Sequence, residues 1–398
     1  MANSDLSNAK TAKSDEFYTQ FNDIEKELTA YLDYDAKVFK GKTILLPCDD
    51  PEWSNFTKYF AQNFEKFGIK KLISTSYAPD SKRFKIYEQP SLFELEDPQY
   101  DKKKTNILGK IFTLTRDKTN DGRIDVNDLE WHYLEGDGDF RSKEIQKLRD
   151  EADIIITNPP FSLFRDFLAW IVDASKQFVI IGNMNAITYK EVFPLIMNNK
   201  LWLGPSIRSG DREFQVPKDY PVTAAGWRID ENGNKFLRIK GVRWFTNLDH
   251  GRRHEPLPLM TMADNIKFSK HTEVKGKKYQ KYDNYDVIEI PYTDAIPSDY
   301  DGIMGVPISF LDKYSPEQFE ILGATQRGCH DDVPDIKKYD EYWEVKPNGQ
   351  KTGSSGGKTN ENANLVGNDG KKNYFINKKG RIIQSAYQRI FIRHRGTK

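Results

Sequence analysis

Apolar positions recur along this chain with two periods, one helical and one of short unbroken runs. Phe17, Phe21, Ile24, Leu28 and Leu32 fall at helical spacing and predict a helix over 15–32. The run TILL within 42–47 predicts a strand ending in the turn-forming residues CDDP. Aromatics at helical intervals over 53–67 predict the helix that follows, and a second short strand covers 71–76. Residues 79–149 are rich in charge and turn formers, with a strand signal at 111–115. The pattern then sharpens. ADIIIT (152–157) reads as a fully apolar strand, NPPF interrupts it, 163–174 has the spacing of an amphipathic helix, and QFVIIGN (177–183) is another buried strand.

Two strand-loop-helix units with apolar strands predict an α/β fold built on a doubly wound, Rossmann-like sheet, with active loops at the carboxyl ends of the strands. CDDP and NPPF both fall at that end. Beyond about residue 200, Trp202, Phe214, Tyr220, Trp227, Trp244 and Phe245 are interspersed with Arg, Gly and Pro, and β-type runs predominate. The expected organisation is a disordered lead-in over 1–14, a catalytic domain over 15–200 and a β-rich region over 201–398. Within the last, the Gly, Ser, Asn and Lys tract at 349–372 is expected to be a flexible loop or a segment that orders on binding.

Composition narrows the class. With 398 residues, 37% hydrophobic and 30% charged, and a mean hydropathy of −0.73, the chain can bury a sizeable core while keeping much polar surface. Its apolar stretches fall far short of the roughly 20 residues that span a bilayer. The N-terminal residues contain no apolar signal region, so a cytoplasmic location and no membrane partner are expected. Cys48 and Cys329 supply neither a disulfide framework nor a four-cysteine zinc site. The six histidines form no metal-ligand motif, and neither a serine-hydrolase elbow nor a phosphate-binding P-loop is present. A catalytic metal is not expected. Residues 117–128 (DKTNDGRIDVND) resemble a calcium loop, but the twelfth position is Asp rather than Glu, which leaves an acidic hairpin turn as the other reading.

Asn158, Pro159, Pro160 and Phe161 carry the strongest chemical signal. Two prolines fix φ and remove backbone donors, which leaves a polar amide, carbonyl acceptors and an aromatic face at the end of a strand. Adenine N6 is a poor nucleophile because its lone pair is delocalised into the ring. The Asn158 side-chain oxygen and the Pro159 carbonyl would accept its two hydrogens, and Phe161 would stack on the base; an ordinary proline turn after a strand is the other reading. An adenine within a duplex would have to be flipped out to reach such a pocket.

The loop after the first strand, with Pro47, Cys48, Asp49, Asp50, Asn55 and Phe56, is where a nucleotide-like cofactor sits in a doubly wound sheet, and it lacks a dinucleotide fingerprint. Asp49 or Asp50 would hold the amino group of a methionine moiety, or would cap the following helix. In GDGDFRS (136–142), Asp139 would accept from a cofactor adenine amino group while Phe140 covers its ring; a plain surface turn is the other reading.

A net charge of +1 does not decide nucleic-acid binding, so local patches must. Arg208, Arg212, Arg228, Arg243, Arg252, Arg253 and Arg393 are interleaved with aromatics, and arginines read guanine edges or neutralise phosphates. They form a candidate DNA surface together with the loop DHGRRH (249–254). The segment 378–398 is basic without any acidic residue, and reads as part of that surface or as a solvated strand edge.

Taken together, LLPCDDPEWSNF (45–56), GDGDFRS, ITNPPFSLFRDF (156–167) and GVPISFLDKYSPEQFEILG (305–323) resemble the EcoRI-type family of adenine-specific DNA methyltransferases. The resemblance covers most of the chain. NPPF alone is shared with methyltransferases of glutamine and of RNA, whereas its combination with CDDPEWSNF is specific. The resemblance implies a Rossmann-like catalytic domain that uses S-adenosyl-L-methionine, a C-terminal target-recognition region, and N6-methylation of a flipped-out adenine in double-stranded DNA. It also implies that an N-terminal helix bearing Phe17 and Tyr18 closes over the cofactor. A cognate restriction endonuclease acting on the same site, or a solitary or phage context, would accompany this role. The alternatives are an RNA or protein-glutamine methyltransferase, and a catalytically silent DNA-binding subunit. One departure stands out: the strand KKLISTSY is not followed directly by an acidic residue for the cofactor ribose, where Asp80 or a backbone contact would have to substitute.

Overall fold

The computed structural model describes residues 18–48, 54–78, 97–208, 211–216, 226–325, 337–339 and 341–396, the side chains of 357 and 358 excepted. The lead-in at 1–14, Phe17, Asp49, Asp50, Asp80 and Cys329 lie outside these residues. Two compact units are present, one of residues 1–186 and 201–251 and the other of 187–200 and 252–398.

The first unit is built on β1 (Thr43–Leu46), β2 (Lys71–Thr75), β3 (Lys110–Leu114), β4 (Glu130–Tyr133), β5 (Ile154–Thr157), β6 (Gln177–Asn183), β7 (Trp202–Leu203) and β11 (Val242–Thr246). They lie in the order β4-β3-β2-β1-β5-β6-β11-β7. β2, β1, β5 and β6 form a parallel block, and antiparallel strands extend it on both edges. The fold is therefore mixed α/β, with a central sheet that is parallel only at its heart.

The parallel strands are apolar because both of their faces are covered. Ile44, Leu46, Ile154 and Ile156 are fully buried in one cluster with Ile24, Leu28, Phe56 and Phe60 from two helices, α1 (Phe21–Tyr34) and α2 (Asn55–Gln62). Leu45 and Ile155, one residue out of phase, are equally buried on the other face. α3 (Lys143–Glu151) precedes β5. α4 (Phe164–Asp173) links β5 to β6 and buries Phe164, Phe167, Leu168, Trp170 and Ile171 on one side. Gly182 of β6 lets α4 lie close, since a Cβ there would come 2.4 Å from the Phe164 ring.

Three expectations change. The helix over 15–32 begins at Phe21, because Tyr18 exchanges two backbone hydrogen bonds with Gln215 (3.0 and 3.1 Å) and is held extended. The unit boundary at 200 does not hold. Trp244 and Phe245 of β11 are fully buried and pair with Ile181 and Ile180 of β6, so 201–251 stays with the first unit while 187–200 joins the second. A small antiparallel sheet, β8 (Asp211–Val216), β10 (Lys235–Lys240) and β9 (Trp227–Ile229), also belongs to the first unit.

The second unit carries two sheets. One has the order β12-β13-β20-β14, with β12 (Val287–Glu289), β13 (Ile303–Pro307), β14 (Phe319–Ala324) and β20 (Arg389–His394). The other is β16-β15-β18-β19-β17, with β15 (Tyr342–Val345), β16 (Lys351–Ser355), β17 (Asn364–Val366), β18 (Tyr374–Asn377) and β19 (Ile382–Ser385). The third changed expectation lies here: the tract 349–372 contributes two of these strands rather than a flexible loop. Its order comes from amide side chains as well as apolar ones, since Ala363 is fully buried in an apolar cluster with Tyr285, Val287 and Phe391 and Leu365 packs against it. Asn364 is fully buried, donates to the Thr359 carbonyl at 2.7 Å, and accepts from the Ser385 hydroxyl at 2.6 Å.

Candidate active site

β1 and β5 are neighbours, yet β1 also pairs with β2 on one side while β5 pairs with β6 on the other. Such a reversal opens a crevice beyond the carboxyl ends of the two strands, the usual ligand position in open α/β sheets. Pro47 and Cys48 follow β1 at that edge, and the Pro47 carbonyl accepts from Thr75 Oγ1 at 3.3 Å. Asn158, Pro159, Pro160 and Phe161 follow β5 at the same edge.

Asn158 is 8% exposed and Pro159 is buried. Pro160 (φ −52°, ψ 123°) turns the chain into the 3-10 segment Phe161–Leu163, and its carbonyl accepts from the Leu163 amide at 2.9 Å. Phe161 is 9% exposed and meets Phe214 of β8 edge to face, 6.4 Å between centroids at 90°. The catalytic-loop candidate is thus clamped between the central sheet and the small sheet.

The N-terminal segment reaches the same place. Tyr18 is half-buried in its bridge to Gln215, beside Phe214, and Asn55 Nδ2 donates to the Thr19 carbonyl at 2.7 Å. Asn55 opens α2, whose cap is Ser54, its hydroxyl accepting from the Phe56 amide at 3.0 Å. Ser54 is therefore the cap of α2, and the call on Asp49 or Asp50 lies outside the described residues. Phe56 is 1% exposed and lies edge-on against Trp244 at 6.0 Å, which makes it a core residue with no face left for a ligand.

GDGDFRS packs on the carboxyl end of β2, next to β1. The Ala78 amide donates to the Asp137 carbonyl at 2.7 Å. Gly138 has φ +86°, and a Cβ there would come 2.1 Å from the Ser76 carbonyl, so only glycine permits this approach. Arg141 forks onto Asp139, Nε to Oδ1 at 2.9 Å and Nη2 to Oδ2 at 2.6 Å, while the Asp139 side chain keeps 23% of its surface exposed. The fork raises the Arg141 pKa above its usual value. Phe140 is 5% exposed and packs between Phe167 and Trp170 (5.1 and 5.6 Å), anchoring the turn rather than covering a ligand. Asp137 now stands at the β2 end where sequence reading found no acidic residue. A contact between positions some 60 apart in the chain gave no local signal of it.

The comparisons with known proteins bear on this crevice. The family model for adenine-specific methyltransferase EcoRI matches residues 5–395. The chain belongs to this family. It is 42% identical to the Type II methyltransferase M.EcoRI of Escherichia coli over 317 residues, covering 80% of this chain and 88% of that protein. It is 31% identical to the Type II methyltransferase M.MpnI of Mycoplasma pneumoniae over 355 residues, covering 85% of this chain and 95% of that protein. No solved structure gives a significant match. The chain is an adenine-specific DNA methyltransferase, and the crevice at the β1 and β5 ends is its candidate active site.

In this family member, the arginines expected to meet DNA are placed unequally. In the first unit Arg208 is exposed, while Arg212 is half-buried with Nε 3.8 Å from Asp23. In the second, Arg252 is half-buried in a 3-10 turn, and Arg253 is 6% exposed with its guanidinium bonded to Asn199. Arg393 pairs with Glu320 at 2.7 Å. Much of the basic run 378–398 is paired likewise: Lys378 with Glu341, Arg381 with Asp283, and Arg389 with Glu289.

Residues 117–128 join β3 to β4 as a hairpin loop. Asp117 accepts the Asn120 and Gly122 amides, and Asp128 accepts those of Asp125, Thr119 and Lys118, which hold its carboxyl down at about 2. Among the described residues no group of acidic, His or Cys side chains could hold a metal ion, and no helix is long and apolar enough to cross a membrane.

Proposed function

We propose that this enzyme transfers the methyl group of S-adenosyl-L-methionine to N6 of an adenine flipped out of double-stranded DNA. The observation that carries the reading is the convergence of three motifs, Pro47–Cys48, Gly136–Ser142 and Asn158–Phe161, at the carboxyl ends of three adjacent strands, β2-β1-β5. A nucleoside-bearing donor fits there. The β2 end offers the Asp137 and Asp139 carboxylates, the β1 loop offers Pro47 and Cys48, and Tyr18 and Asn55 lie beside them. The donor supplies an electrophilic methyl group on a sulfonium.

The chain's own residues act on the acceptor. Asn158 Oδ1 and the Pro159 carbonyl accept the two N6 hydrogens, which draws the nitrogen lone pair out of conjugation and aims it at the methyl carbon. The Asn158 amide is buried, where acceptor strength is not diluted by water. As the N–C bond formed and the C–S bond broke, leaving the donor a neutral thioether, the same two acceptors would hold the growing positive charge until one N6 proton passed to water. Phe161 supplies the apolar wall for the base, its ring fixed by Phe214. The second unit serves target recognition, and a restriction endonuclease for the same site would be the partner of such an enzyme.

The test is transfer of a labelled methyl group from S-adenosyl-L-methionine to duplex DNA, followed by nucleoside analysis. Label in N6-methyladenine that disappears in Asn158→Ala supports the reading. Label on RNA or protein alone overturns it.

A further inference from the structure

One surface of the first unit is apolar, exposed and continuous with the catalytic loop. Leu237 of β10 stands opposite both Phe214 of β8 and Trp227 of β9, and Lys235 stands opposite both Val216 and Ile229. Residues opposite one another across a ladder project to the same face, so Phe214, Val216, Lys235, Leu237, Trp227 and Ile229 share one side of the small sheet. On β8 that side is buried, Phe214 at 2% and Val216 at 3% exposure, with Phe214 against Phe161. On β9 it is bare, with Trp227 49% and Ile229 57% exposed. Two strand spacings of about 4.8 Å put Trp227 roughly 10 Å from Phe214 along the face. On the reverse side Arg228 stacks on Phe236 (4.5 Å) and forks onto Glu213 of β8 at 2.8–3.1 Å, which braces the short edge strand.

We propose that the Trp227–Ile229 strip is a DNA-contacting element that packs on the base faces left unstacked beside the target adenine. The proposal rests on the base-flipping reading above. Extruding a base exposes flat apolar faces on its neighbours, and apolar or aromatic side chains are what such faces accept. The strip runs outward from the loop that receives the adenine, on the same face as Phe214. The Lys235 ammonium, 5.6 Å from the Trp227 ring centroid, adds a cation suited to the adjoining phosphates.

The experiment uses the full chain and a duplex carrying the site mapped by methyl transfer, once with the target adenine paired and once with it opposite an abasic position. Trp227→Ala should weaken binding to the paired duplex about ten-fold or more, with a smaller loss on the unpaired one. Trp227→Phe should retain most of the affinity, and donor binding and melting temperature should stay at the wild-type values. Equal losses on both duplexes, or unchanged binding in both Trp227→Ala and Ile229→Ala, overturn the proposal. So does a change confined to self-association in sedimentation, which would make the strip a contact between copies. Failure of the wild type to methylate DNA would sink the functional reading itself, whereas wild-type transfer that survives both substitutions sinks only the strip.

Discussion

The carboxyl ends of the parallel strands and the basic strands of the second unit both attract attention in the sequence, and the structure treats them in opposite ways. At the ends of β2, β1 and β5 the motif residues come together, their backbones held by Thr75 on the Pro47 carbonyl, Ala78 on the Asp137 carbonyl and Leu163 on the Pro160 carbonyl. On β20 and in the residues before it, the charges are met by carboxylates: Arg389 by Glu289, Arg393 by Glu320, Arg381 by Asp283. A run of like charge in sequence therefore says little until the neighbouring strands are known. A polar motif closing an apolar strand says much more, because a strand end in a parallel sheet has few structural uses for a buried amide.

The largest effect that sharpens this contrast is at Asn158. Asn158→Ala should lower the rate of methyl transfer roughly 100-fold or more, with donor affinity changed by no more than a few-fold in equilibrium titration. A parallel loss of donor affinity would show that the loop holds the donor rather than the base. Next is Arg389, whose charge is as buried as any on the basic strands, its side chain 12% and that of Glu289 10% exposed. Removing one partner strands the other charge, so Arg389→Ala should cost roughly 3–5 kcal/mol in urea unfolding. A cost below about 1 kcal/mol, the range of exposed pairs, would mean that the pairing is incidental.

Smaller still is a pH effect at Glu27 on α1. Its carboxylate is fully buried, accepting from the Tyr31 hydroxyl at 2.6 Å and the Ser206 amide at 2.9 Å, and burial raises its pKa to about 7. The folded state then holds a proton that the unfolded state has released, so stability is fully present below about 4.5 and falls as pH rises toward 7, by up to roughly 3 kcal/mol. Glu27→Gln should flatten melting temperature between pH 5 and 7. A slope unchanged from wild type would place the titration elsewhere. Glu27 ties α1 to the loop after β7, and Tyr18, just before α1, borders the crevice. Donor affinity is the reading that links this scaffold to the site.

Much of the first unit was legible because its signals are local. β1, β2, β5, β6 and α4 are short apolar runs or helical spacings, and Asn158–Phe161 sits at a strand end as its sequence context requires. What was missed depends on partners far along the chain. Phe56 and Phe140 look like ligand-facing aromatics beside their motifs, yet Trp244 in one case and Phe167 with Trp170 in the other take their surfaces. The boundary at 200 failed because β11 returns antiparallel to β6 across a stretch of different texture. The tract 349–372 forms strands because buried amides such as Asn364 add to the few apolar contacts, Ala363 and Leu365, that its composition supplies.

The smallest expected effect is also the sharpest probe of the comparison. Arg393 was a DNA-contact candidate, and its guanidinium lies 2.7 Å from Glu320 with both side chains well exposed, 47% and 39%. An exposed pair of this kind contributes about 0–1 kcal/mol, so Arg393→Ala should barely move the unfolding midpoint. If the pair is only a solvated strand ornament, DNA affinity should also stay within about two-fold and its salt dependence should keep the same slope. A phosphate contact would instead reduce the salt slope by about 1 and weaken binding to specific and non-specific duplexes alike. That second outcome would mean that Glu320 releases Arg393 when DNA arrives, and that pairing in the free enzyme is a poor guide to which cations the duplex recruits. The same measurement on Arg208, exposed in the first unit, tests that second candidate, because an arginine that does reach phosphate must show the slope change that Arg393 is expected to lack.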